Sequence, residues 1–210
     1  MWDKIGILLF TFTVFASIEY RTSYLNWKPV SLIHHVITAS TANYLLFTEP
    51  DKMYSVTNYN ASDYYPIYRY LPLISCAYGY FDLYYAIIKK QGPDFLFHGV
   101  FFIGTTSWAL YNNAIHFMYP GLLLETSSIF LTLMPSYPFM KYPFCASFLL
   151  YRNILVPYLT YNWFYTMKKL YEPNMNEEKM IILFALTINS LNFYWGYKII
   201  KKLKRHLHDE

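Results

Sequence analysis

Charge-poor stretches close to the length of a membrane span recur along the 210-residue chain, at about 5–20, 30–48, 68–88, 95–111, 113–134, 144–166 and 180–200. A helix needs roughly 18–20 predominantly apolar residues to cross the hydrocarbon of a bilayer. Only 14% of the residues are charged and 55% are hydrophobic, whereas soluble domains carry roughly 25% charge. The expectation is an all-α integral membrane protein of about seven transmembrane helices, with no separate soluble domain. The 24 tyrosines against 7 glycines suit rings at membrane interfaces and between helices, and they carry no functional signal.

The first stretch, IGILLFTFTVFASIEY, has two readings. Lys4 ahead of a short apolar segment, with Ala16 and Ser17 behind it, fits a cleavable signal peptide. No A-x-A-like site follows, and Glu19, Tyr20 and Arg21 come at once, which favours an uncleaved first helix. Cys76 and Cys145 fall inside expected spans and read as packing residues. No metal-type Cys/His spacing exists, so no metal is expected. No Gly-rich phosphate loop or internal repeat is present, and no cofactor is expected.

Orientation follows from Lys and Arg near the helix ends. With the C-terminus in the cytosol, that side holds Arg21, Lys28, Lys89, Lys90, Lys141 and the tail KIIKKLKRHLHDE. The opposite side holds the acidic loop TEPDKMYSVTNYNASDYY, a turn at Asn112 and Asn113, and the balanced KKLYEPNMNEEK. Seven spans then place the N-terminus in the lumen. The sequon Asn60-Ala61-Ser62 falls on that side too, which makes Asn60 a candidate glycosylation site. The basic tail reads as an anchor beside anionic headgroups, and nucleic acid is not expected as a partner.

Ionisable side chains within spans are costly and face a bundle interior or a wet cavity. They are His34, His35, Asp82, His98, His116, Glu125 and Arg152, with the polar Asn192 in the last span. At about 1.5 Å per residue, all but His116 fall in the cytosolic half, which suggests a polar cavity opening to that side. Glu125 and Arg152 lie at matching depth, roughly 12–14 Å in, and are expected to pair, as a helix lock or as part of a ligand site; alternatively a protonated Glu125 donates a hydrogen bond. His34 and His35 point to different helix faces, so at most one is expected to line the cavity. Asp82 and His98 agree in depth within a turn, so the carboxylate is positioned to orient an imidazole acting as base or nucleophile, or simply to lock two helices. Asn192 and Trp195 share a face and suit helix packing as well as a cavity wall.

Six segments, NWKPVSLIHHVIT, YGYFDLYYAI, GPDFLFHGVFFIG, ETSSIFLTL, YRNILVPYL and NFYWGYKIIKKL, occur in an order and spacing that resemble the TLC-domain family. That family includes ceramide synthases, translocon-associated proteins and lipid-regulating membrane proteins. The resemblance covers about 27–203. It implies a six-helix core beside the extra first helix, residence in the endoplasmic reticulum or connected membranes, and a lipid-handling cavity. The expected organisation is an N-terminal helix and short loop at 1–26, the membrane domain at 27–203 and a basic tail at 204–210.

The ceramide-synthase branch has two adjacent histidines after an Asp-initiated motif and transfers an acyl group from acyl-CoA to a sphingoid base. Here His98 matches the first histidine and Gly99 stands at the second. A His-Asp pair with a further Asp in that branch aligns with Leu124, Glu125 and Ser128. The ETSSIFL sequence is closer to the non-synthase members. The resemblance therefore implies a role in membrane lipid composition, homeostasis or transfer, with a lipid as partner and His34, Asp82, His98, Glu125, Arg152 and Asn192 as site residues. The alternatives are an acyl-CoA-dependent N-acyltransferase working through His98 and Asp82, with acyl-CoA as substrate, and a receptor or chaperone for membrane proteins.

Overall fold

The computed structural model describes residues 2–22, 28–50, 66–112, 118–170 and 175–208. Regular structure among them is entirely helical: α1 (Trp2–Arg21), α2 (Pro29–Thr48), α3 (Pro66–Ile88), α4 (Pro93–Tyr111), α5 (Met118–Leu122), α6 (Glu125–Leu133), a 3-10 turn (Pro138–Met140), α7 (Lys141–Ser147), a π-helical segment (Phe148–Leu155), α8 (Val156–Leu170) and α9 (Met175–His208). Proline opens α2 and α4, where its fixed φ suits the first turn and its missing N–H leaves nothing unsatisfied. Hydroxyls inside the helices donate to carbonyls one turn back, as Thr38 does to His34 O at 2.7 Å and Thr160 to Val156 O at 2.8 Å, so they need no water. Asn60 and His116 lie outside the described residues.

Each charge-poor stretch coincides with helix, but two are interrupted. The 113–134 stretch, expected as one helix, breaks between α5 and α6. Around the break the backbone tightens to i→i−3 bonds, Leu124 N to Gly121 O and Thr126 N to Leu123 O, both at 3.1 Å. The 144–166 stretch widens into the π-helical segment, where Val156 N donates to Tyr151 O, five residues back. Pro157 explains the position: it cannot donate, and its ring crowds the carbonyl four residues earlier, so the chain takes an extra residue into the preceding turn.

The helices close into a ring. α3 packs on α4, α2 lies against α3, α5 and α6, and α9 lies on the π-helical segment and α8. The ring closes where α9 meets α4, through Lys198 Nζ 3.5 Å from Asp94 Oδ2 and through Phe184 edge-on to Trp108 at 5.5 Å between ring centroids. α1 stands outside the ring against α3, held by Phe15, Tyr78 and Phe81. The main core joins α2, α3, α5 and α8 through Leu45, Leu71, Tyr119, Leu122 and Leu159.

Two glycines allow close approaches. A Cβ on Gly99 would lie 3.3 Å from Leu83 Cα and 3.1 Å from Leu83 Cβ, so α4 meets α3 almost backbone to backbone. A Cβ on Gly196 would lie 2.6 Å from Asn153 Oδ1, and it is in this gap that Asn153 Nδ2 reaches Asn192 O at 3.1 Å.

The outer surface is apolar. Phe10, Phe47, Tyr111, Leu150, Ile154 and Leu186 are each more than half exposed, a burden that water-soluble monomers avoid and lipid tails accommodate. Two helical segments, Tyr70–Ile88 and Lys179–Lys204, are individually long and apolar enough to cross a membrane. No other helix among the described residues meets that measure; where the chain is interrupted, as at α5, α6, α7 and α8, the pieces are shorter than a span.

Candidate functional site

Inside the ring, α4, α5, α6, the π-helical segment, α8 and α9 enclose a cavity of about 110 Å³. Most of its wall is apolar, including Phe101, Met118, Val156, Leu159, Trp163 and Phe184. Three threonines in the wall, Thr105, Thr106 and Thr160, spend their hydroxyls on carbonyls one turn back, which leaves the ionisable His98 of α4, Glu125 of α6 and Arg152 of the π-helical segment as its polar end. Arg152 and Trp163 both line it and are eleven residues apart, about 16 Å along a helix axis. Gly121 is exposed and also part of the lining, so the cavity reaches the surface there.

Arg152 is buried at 7% exposure. Acceptors at the break before α6 hold it: Arg152 Nη2 donates to Leu124 O at 3.0 Å, a carbonyl that also accepts from Ser127 Oγ, and to Ser128 Oγ at 2.8 Å, while Nε donates to Ser127 Oγ at 2.8 Å. The guanidinium also rests on the Phe148 ring, 5.1 Å from its centroid. A guanidinium has five N–H donors. Three are used, all on neutral acceptors, and the two on Nη1 have no partner among the described residues.

The expected Glu125–Arg152 ion pair is not formed. Glu125 turns to α2 instead, where its Oε2 lies 2.6 Å from His35 Nδ1. The two atoms are close but off the line of a well-formed N–H···O bond. Depth matched the partners along the helices; rotation about the helix axes, and the break that places Glu125 first in α6, decided otherwise.

His34, beside it on α2, does not line the cavity either. Its ring stacks on Tyr78 of α3, 3.9 Å between centroids and 8° from parallel, and its Nε2 lies 3.3 Å from Ser75 Oγ. Tyr78 in turn donates to Ser31 Oγ at 3.1 Å. Thus both histidines serve neighbouring helices, where one was expected at the cavity.

His34, His35 and Glu125 can each offer a ligand atom, all within 4.8 Å of one another. Two ligands of one tetrahedral zinc ion stand about 3.4 Å apart, given metal bonds of about 2.0–2.2 Å. The 2.6 Å between His35 and Glu125 is instead the separation of a direct pair.

His98 and Asp82 do not meet. Asp82 accepts a long bond from the Tyr78 hydroxyl on its own helix, 3.5 Å. His98 lies parallel to Phe102 and edge-on to Trp195, each 6.1 Å between centroids, and its Nδ1 has no hydrogen-bond partner among the described residues. Asn192 is fully buried but does not line the cavity; its carbonyl holds Asn153.

Sequence reasoning passed over two hydroxyls that do the positioning, Ser75 and Ser127, and named Ser128 only as an aligned position. The signal was available in part: Ser75, Tyr78 and Asp82 recur at helical spacing on one face, and two serines follow Glu125.

A family model described as the TLC domain matches residues 26–201. The chain belongs to the TLC domain family. That is a family of membrane proteins with lipid-related roles, and the TLC domain here holds every residue of the cavity wall, from His98 to Ile188. No curated protein and no solved structure matches the chain.

Proposed function

We propose that this TLC domain protein crosses the membrane with about seven helices, in the endoplasmic reticulum or membranes connected to it, and binds a lipid in the cavity as part of membrane lipid composition, homeostasis or transfer. The observation that carries the reading is the shape of the polarity: an apolar tunnel with His98, Glu125 and Arg152 at one end matches an amphiphile, head at the polar end and chain along α8 and α9. The charge bias of the loops supports a polar end in the cytosolic half.

An acyl-CoA-dependent N-acyltransferase of ceramide-synthase type is the second reading. It draws on His98, which lines the cavity and whose buried Nδ1 has no partner among the described residues. Two observations favour the non-synthase role over it. A second histidine at position 99 would be crowded, its Cβ 3.1 Å from Leu83 Cβ and 3.3 Å from Leu83 Cα. Asp82 does not engage His98.

Gly121 supplies the test. No atom lies within 4 Å of a Cβ built there, and its φ is not positive, so a side chain is tolerated by the backbone. In Gly121→Phe the ring enters the cavity mouth; lipid recovered with the purified protein should fall about tenfold while Gly121→Ala retains it, a loss of about 1.4 kcal/mol in binding. Lipid quantified by mass spectrometry at equal folded yield is the measurement. Unchanged lipid in Gly121→Phe would refute occupancy of this cavity.

A further inference from the structure

We infer that the cavity selects an amphiphile with an anionic head, a carboxylate or a phosphate monoester, and that Arg152 is the residue that recognises it. The inference rests on the lipid-binding reading above and narrows it to a class of ligand.

A buried guanidinium normally meets a carboxylate, because a lone charge out of water is costly unless paired. Arg152 lies beside one that faces the same cavity and does not bond to it: Glu125 is turned to His35. The three hydrogen bonds that Arg152 donates go to two serine hydroxyls and a backbone carbonyl. These fix the plane of the guanidinium without neutralising it. Both Nη1 donors remain, on a residue that is 7% exposed and lines the polar end of the cavity.

With Glu125 turned to His35, no carboxylate among the described residues contacts the guanidinium. An anion with two or more oxygens completes it, since a planar fork of N–H donors matches carboxylate and phosphate geometry. The apolar wall running from there to Trp163 takes a hydrocarbon chain, so the ligand is an anion with a tail rather than a free anion.

The test compares three ligands with the same sixteen-carbon chain on the full-length protein in detergent: palmitate, hexadecyl phosphate and hexadecanol. At least one of the two anions should bind about 10- to 100-fold more tightly than the alcohol, the increment expected of a hydrogen bond to a charged group. The better of the two identifies the head as a carboxylate or a phosphate. Arg152→Gln should bring that anion down to the level of the alcohol and leave the alcohol unchanged. Equal binding of all three by the wild type would overturn anion selection while leaving the lipid reading in place, and this comparison stands even if Arg152→Gln does not fold. Preference retained in a folded Arg152→Gln would also overturn it. If none of the three binds, both the lipid reading and this inference fail.

Discussion

Breaking the contact between His35 and Glu125 strands a polar group inside the bundle, at a cost of about 3–5 kcal/mol. His35→Gln and Glu125→Gln should therefore each lower thermal stability in detergent, and the double variant should recover much of the loss. Pairing Glu125→Gln with Arg152→Gln should recover less, because those two side chains hold separate partners. A larger coupling for Glu125 with Arg152 than with His35, read from the two mutant cycles, would contradict the geometry. At this scale the sequence showed which residues are buried: His34, His35, Glu125, Arg152 and Asn192 are all within 8% exposure. It did not show whom they meet. Distance from a helix end is one coordinate, and a partner is chosen by two more, the rotation of each helix and the local breaks that re-aim a side chain.

Close approaches between helices carry the next level. Gly99→His would put a ring where Leu83 stands, and overpacking of this kind costs about 1–3 kcal/mol. The variant should lose stability and gain no acyl transfer from acyl-CoA to a sphingoid base, measured with labelled acyl-CoA in membranes. A stable variant that transfers acyl groups would restore the ceramide-synthase reading. Helix extents were legible because a span must be charge-poor over its whole length, and each expected stretch is helical over most of its described residues. The interruptions were not. Pro157 removes one donor, but whether the chain kinks, breaks or widens into a π-turn depends on what packs outside it, here α9 with Gly196 against Asn153. The break before α6 likewise follows from packing around Leu122, Leu123 and Leu124, all buried in the main core.

The described residues form a ring of helices with its buried ionisable groups and an apolar core inside and many large apolar side chains on its outer surface, the arrangement a bilayer permits. Its all-helical character could be read from charge density alone. The cavity could be anticipated only as a gathering of polar residues in one half of the membrane; its apolar length comes from residues on α8 and α9 whose types look like ordinary core. The most direct test of the central claim is photolabelling with a fatty acid that carries a diazirine near the end of its chain. If a lipid lies in the cavity with its head at Arg152, label should appear on peptides holding Trp163 and Phe184, and Gly121→Phe should remove it. Label spread over outward residues such as Phe10, Phe47 and Leu186, and unchanged by Gly121→Phe, would contradict the account.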